Sequence, residues 1–249
     1  MRAGIDVGGT FTDLALWDGT RLRTAKVPTT PGDQSSGVVE ALRVGGGAEA
    51  ELIHGTTVAT NALLERTGAR TALVTDSGFE DLVEIGRQDR PSLYDVEATR
   101  VAPLVEAGFR VGVPHRSFGD VRSGESDFGE AVAALLELAP EAVAISTLFS
   151  FLDPAREQLL AAAISSALPD AAMSLSSSVA PEFREFERTS TTVINAYLQP
   201  LVFHYLDRLG EAVAEVGITG DPSVMRSSGG LIGLAAAARL PARARSTTC

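Results

Sequence analysis

Residues 3–22 read AGIDVGGTFTDLALWDGTRL, and this stretch decides the fold. Two apolar runs flank a turn made of Gly8, Gly9 and Thr10. Ile5 and Val7 alternate with Gly4 and Asp6, so residues 3–7 read as a strand with Asp6 on the face opposite its apolar neighbours. Residues 12–17 and 21–27 read as two further strands, and Asp18-Gly19 reads as a two-residue hairpin turn between them. Glycines at 8 and 9 permit a tight turn whose N–H groups face outward without a Cβ in the way. Thr10 and Thr12 add hydroxyls, and a concave set of short donors suits phosphate oxygens. Asp6 and Asp13 are oxygen ligands of the kind magnesium prefers. A plain β-hairpin accounts for an ordinary Gly-Gly turn equally well. The pattern D-x-G-G-T-x-T-D is more constrained, and with no lysine after the glycines it is not a Walker P-loop. The expectation is that Gly8, Gly9, Thr10 and Thr12 bind ATP, while Asp6 and Asp13 hold Mg²⁺ and serve catalysis.

Working outward, Pro31 opens a helix to about Arg43, closed by three glycines at 45–47. A strand at 51–54, a helix at 58–66 with Val58, Ala62 and Leu63 on one face, and a strand at 69–75 follow. This succession is an α/β pattern with a mixed sheet and flanking helices. Residues 86–127 are polar and hold one expected strand at 107–113. A helix at 127–138, a buried strand at 141–149 and a helix from Asp153, as N-cap, to 168 come next. Leu159, Leu160, Ala163 and Ile164 are its expected inner face. Val193, Tyr197, Leu201, Tyr205 and Leu209 recur every three to four residues along a long helix from about 181 to 216, which includes Pro200. A short strand at 223–226, a turn at 227–231 and an alanine-rich helix end the pattern.

The chain of 249 residues has 45% hydrophobic residues, enough for a buried core, and a net charge of −11. An acidic surface gains nothing from counterion release, which sets nucleic acid aside as a partner. The single cysteine, Cys249, excludes an internal disulfide, and the three histidines are too separated in sequence to suggest zinc. No apolar run approaches the ~18 residues of a membrane span, so no membrane partner is expected and the cytoplasm is the expected location.

Several segments together carry a family resemblance. GIDVGGTFTDLAL (residues 4–16) resembles the first phosphate motif of the actin-like ATPase superfamily, which includes sugar kinases and acetate kinase. IHGTTVATNALLERTGARTALVTDSGFEDLVEIGRQDRPSLYD (53–95) looks like the hydantoinase/oxoprolinase family, related to acetone carboxylase subunits. Residues 174–202 and MRSSGGL (225–231) fit the same family. The resemblance implies ribonuclease-H-like lobes with ATP between them: a first lobe at 1–180, then a long helix and an incomplete second lobe at 181–249. It implies ATP-dependent opening of a cyclic amide such as 5-oxoproline or a hydantoin, in which ATP phosphorylates the amide oxygen. In a carboxylase branch the activated species is carboxylated instead. A hydantoinase B-like partner subunit and an oligomer are expected.

By the same resemblance His54, Gly55, Thr56, Thr57 and Asn61 are substrate-binding, with Arg87 and Arg90. From residue chemistry alone His54 reads as a satisfied core histidine and the threonines as helix caps. Arg188, Thr189, Thr192 and Asn195 fall on one side of the long helix, amid charges that otherwise read as a solvated face. Relatives of this kind continue past MRSSGGL into a second phosphate motif, which residues 232–249 lack. His115 and Arg156 also depart from the family pattern. The expectation is a truncated chain, inactive alone, whose long helix leaves an apolar face uncovered. A DxGGT-type sugar kinase and a non-catalytic nucleotide- or partner-binding fragment are the alternatives.

Overall fold

In chain order the elements begin with strands β1 (Arg2–Val7), β2 (Phe11–Trp17) and β3 (Leu22–Pro28), then helix α1 (Gln34–Gly45). β4 (Glu51–Thr56), α2 (Val58–Glu65), β5 (Thr71–Asp76), α3 (Leu82–Ile85) and β6 (Arg110–Val113) follow. Next come α4 (Gly129–Leu138), β7 (Ala142–Ser146), α5 (Ala155–Ala167), β8 (Ala172–Leu175) and α6 (Ser176–Val179). The last elements are α7 (Glu185–Glu215), β9 (Ser223–Met225), β10 (Leu231–Gly233) and α8 (Leu234–Arg239). The structure is a computed structural model and describes residues 1–30, 34–47, 50–89, 92–95, 97–114, 128–218, 220–226 and 229–243. Pro31, Arg90, His115, Ser227 and the tail from 244 lie outside the described residues.

Two compact units account for the chain: Met1–Thr67 with Leu201–Cys249, and Gly68–Pro200. β9 pairs with β4 and draws the end of the chain to the first sheet.

The first unit is built on a six-stranded sheet of order β10-β9-β4-β1-β2-β3. β1 is antiparallel to β2 and parallel to β4, and β4 is parallel to β9. Strand β2 alternates strictly: Thr12, Leu14 and Leu16 are buried, while Phe11, Asp13, Ala15 and Trp17 are exposed. The buried face, with Ile5, Val7 and Leu52, meets α1 through Val38, Ala41 and Leu42, the arrangement a period-2 strand and an amphipathic helix dictate.

The β2–β3 hairpin differs from the two-residue turn expected at Asp18-Gly19. Trp17 pairs with Leu22, so the loop holds four residues. The Asp18 carboxylate closes it by accepting hydrogen bonds from the Thr20 N–H (2.9 Å), the Thr20 hydroxyl (2.9 Å) and the Arg21 N–H (2.8 Å). These donors, led by the Arg21 and Thr20 amides, hold the Asp18 pKa down at about 2.

The second unit holds a four-stranded, all-parallel sheet of order β6-β5-β7-β8. Every residue of β5 and β7 is buried, as a parallel sheet covered on both faces requires. On one face Val74, Val113, Val143 and Ile145 pack with Leu135 of α4 and Leu160 and Ile164 of α5. On the other, Leu73, Ala142 and Ala144 pack with Val193 and Ala196 of α7. The helix at 155–167 starts one residue later than a Pro154 opening, and the Ala155 N–H donates to the Asp153 carboxylate at 3.1 Å. Leu159, expected inside, is half exposed; the inner face is Arg156, Glu157, Leu160 and Ile164. β8 was not expected, and the strand expected at 107–113 begins with a 3-10 turn at Ala107–Phe109.

Helix α7 runs unbroken through Pro200 and belongs to both units. Of the apolar side expected to stand open, Val202, Tyr205, Leu206, Leu209 and Val213 are buried, and Phe203 is the one large apolar side chain half exposed among the described residues of the helix.

Candidate functional site

The β1–β2 connection places the expected phosphate turn at one end of the first sheet. The Gly8 N–H donates to the Phe11 carbonyl at 3.0 Å, and a Cβ on Gly8 would come within 3.1 Å of that oxygen, a tight contact that favours glycine there. Gly9 is different: its φ is not left-handed and a Cβ would meet nothing within 4 Å. No internal contact demands glycine at position 9, and its bareness keeps open the space in front of the turn. Thr29, just after β3, ties the turn down. Its N–H donates to the Thr10 carbonyl at 2.9 Å and its hydroxyl donates to the Gly8 carbonyl at 2.9 Å.

Strand register assembles the carboxylates. Asp6 of β1 pairs with Asp13 of β2, Asp13 pairs with Lys26 of β3, and Asp6 also pairs with Gly55 of β4. Asp6, Asp13 and Lys26 are all exposed, in one row across three strands. The Lys26 ammonium is 2.9 Å from Asp13 Oδ1 and 3.1 Å from Oδ2. The row borders a cavity of about 770 Å³ whose lining includes Gly4, Asp6, Asp13, Ala15, Lys26 and Met225. A volume of that order is the size class of small-molecule sites.

Thr12 does not join this face. It is 0% exposed on the opposite side of β2, and its hydroxyl shares a 3.0 Å hydrogen bond with Thr29 Oγ1. Thr12 was expected to contact the nucleotide; strand alternation sends its side chain inward and that of Asp13 outward.

His54 is also 0% exposed. Its Nε2 lies 2.7 Å from the Tyr205 hydroxyl, and burial pushes its pKa down to about 4. Burial raises the Tyr205 pKa. The histidine thus occupies the core position that residue chemistry alone suggested. Thr56 is buried and its hydroxyl accepts a hydrogen bond from the Val58 N–H at 3.2 Å, at the entry to α2. The Thr57 hydroxyl donates to the Val7 carbonyl at 3.4 Å, and Asn61 is half-buried on the first turn of α2. In the second unit the exposed Arg87 donates from Nε to Glu187 at 2.9 Å.

Sequence reasoning missed a buried polar network at the C-terminal ends of β5 and β7. Glu157 accepts from the Thr147 N–H (3.0 Å), the Ser176 hydroxyl (2.7 Å) and the Ser177 N–H (2.9 Å). Asp76, fully buried, accepts from the Leu148 N–H at 2.7 Å and lies 3.4 Å from the Arg156 guanidinium. Arg188, 1% exposed, donates to the carbonyls of Glu182 (2.6 Å) and Thr147 (3.2 Å) and lies over the Phe151 ring. Thr189 shares a 2.8 Å hydrogen bond with Ser146, and Asn195 donates to Ser174 at 2.9 Å. Arg188, Thr189, Thr192 and Asn195 do share a side of α7, but it is the buried one. The available signal was spacing: 157, 160 and 164 share a helix face, so Glu157 lies in line with two core residues.

The family model for the hydantoinase/oxoprolinase N-terminal region matches residues 2–168, and the hydantoinase/oxoprolinase model matches residues 188–246. The caprolactamase subunit alpha of Pseudomonas jessenii is 35% identical over 92% of this chain and 36% of its own length. The acetophenone carboxylase gamma subunit of Aromatoleum aromaticum is 34% identical over 91% of this chain and 35% of its own. The crystal structure of the ATP-dependent caprolactamase from Pseudomonas jessenii superposes with a TM-score of 0.82 at 33% identity, covering 98% of this chain and 38% of that one. The chain therefore spans little more than a third of these relatives' lengths.

Proposed function

The chain belongs to the hydantoinase/oxoprolinase family, and from that premise we propose that it is the ATP-binding part of an enzyme that opens a cyclic amide at the expense of ATP. The observation that carries this reading is the row Asp6–Asp13 beside a turn whose second glycine serves no internal contact. Resonance makes an amide carbonyl a poor electrophile, and phosphorylation of its oxygen by ATP makes it one that water can attack. In such a site the exposed tip, Gly9 and Thr10, offers backbone N–H groups to phosphate oxygens. Among the described residues no three His, Cys, Asp or Glu side chains are grouped to hold a metal. A magnesium ion at this site would take oxygens of Asp6 and Asp13 and complete its shell with water, which suits its chemistry.

The cyclic amide, whether of the oxoproline, hydantoin or caprolactam type, is the proposed substrate class, and a carboxylating variant of the same activation is supported by the likeness to the acetophenone carboxylase subunit. Relatives named as alpha and gamma subunits support a partner subunit for this chain as well. No helix among the described residues is long and apolar enough to cross a membrane, and we place the protein in the cytoplasm within this same proposal. Titration calorimetry with Mg-ATP tests the reading. Asp6→Ala is expected to weaken binding at least about tenfold, and Gly9→Ala, which fills the space before the turn, several-fold. Equal binding by wild type and Asp6→Ala would overturn it.

A further inference from the structure

We propose that Lys26 is a third working residue of the site: an ammonium stored on Asp13 that passes to a phosphate oxygen when Mg-nucleotide enters. This inference rests on the functional reading above and extends it to a residue on β3.

Two carboxylates directly opposite on neighbouring antiparallel strands repel each other, and Lys26 pairs with the outer one. The row Asp6, Asp13 and Lys26 carries a net charge of −1; a bound divalent cation makes it +1, the sign that a polyphosphate requires. The lysine does not simply lean along its strand. Its ammonium, 2.9 Å from Asp13, also lies 5.0 Å from the centroid of the Phe11 ring. Phe11 directly follows the turn tip and is itself exposed, so the cation–π contact turns the ammonium toward the place where phosphates would sit. Side chains of the Lys26–Asp13 pair are 58% and 52% exposed, so water screens it and little holds the ammonium where it is. Once a metal shares the Asp13 charge, that attraction falls, and the three N–H donors of a flexible lysine are free to take a phosphate oxygen.

Calorimetry of the full chain with Mg-ATP tests this through Lys26→Met and Lys26→Arg, with Asp6→Ala alongside. Lys26→Met is expected to bind about tenfold more weakly, and Lys26→Arg within about threefold of wild type, since the charge is kept. The urea unfolding midpoint of each variant is expected to stay close to wild type, which separates loss of a ligand contact from loss of structure. Wild-type affinity in Lys26→Met while Asp6→Ala loses binding would overturn the lysine assignment and leave the site standing. Equal tenfold losses in Lys26→Met and Lys26→Arg would also overturn it, because charge would then not be the property used. Absence of Mg-ATP binding by the wild-type chain would overturn the site reading itself, and this inference with it.

Discussion

In the first sheet, Asp6, Asp13 and Lys26 stand on an exposed face beside a cavity, whereas in the second Asp76, Glu157 and Arg188 are sealed at the C-terminal ends of parallel strands. The first set is joined by one screened ion pair and two register contacts. The second is tied to backbone amides, carbonyls and a hydroxyl, with Asp76 Oδ1 and Arg188 Nε left without a hydrogen bond. Exposed charges that form few internal bonds are available to a ligand. Buried charges that consume many donors fix loops, here those after β5, β7 and β8, and removing one leaves its partners stranded.

The contrast breaks most sharply at Glu157. Replacing it with Ala strands the Thr147 and Ser177 amides and the Ser176 hydroxyl, and is expected to cost about 3–5 kcal/mol in urea unfolding, with Glu157→Gln in between. A loss below about 1 kcal/mol would mean that water, not protein, satisfies those donors.

Next is pH. Burial holds the His54 pKa near 4 in the folded chain, below its ordinary value of 6.5. As pH falls below about 6.5 the unfolded chain takes up the proton first, so stability complete above that pH is lost progressively down to about 4. The loss amounts to on the order of 3 kcal/mol over that window. Urea midpoints at pH 7 and pH 4.5 should differ less for His54→Gln than for wild type; equal differences would show that His54 does not titrate this way.

The smallest effect sharpens the comparison within the first sheet. Thr12→Val removes a buried hydroxyl but leaves Thr29 its bond to the Gly8 carbonyl, so about 1 kcal/mol of stability is the expected cost. Mg-ATP affinity should be unchanged, since Thr12 faces away from the aspartates; a tenfold weakening would return Thr12 to the site.

Much of this was legible from residue order. Alternation in residues 3–7 put Asp6 on the face opposite Ile5 and Val7, and the apolar runs at 72–74 and 142–145 marked two strands of the second sheet. The same alternation in β2 sends Thr12 inward. Lys26 was hidden by a turn. A two-residue loop at Asp18-Gly19 would have set Thr24 opposite Asp13; the Asp18 carboxylate instead closes a four-residue loop and moves the register by two, which brings Lys26 there. Strand β8 has four residues, partly buried and without clear alternation, so no period announces it. The network around Glu157 depends on contacts among distant segments, for which local pattern offers only the shared helix face.

Thr29 sits just after β3. With its amide on Thr10 and its hydroxyl on Gly8, it braces a glycine-rich bend from a strand end some twenty positions away. Such a bend would otherwise sample many shapes. Because folding has already chosen one, an incoming anion need not spend its own affinity on restraining the loop. Relaxing that brace should therefore appear as slower, weaker capture rather than as an altered choice of ligand.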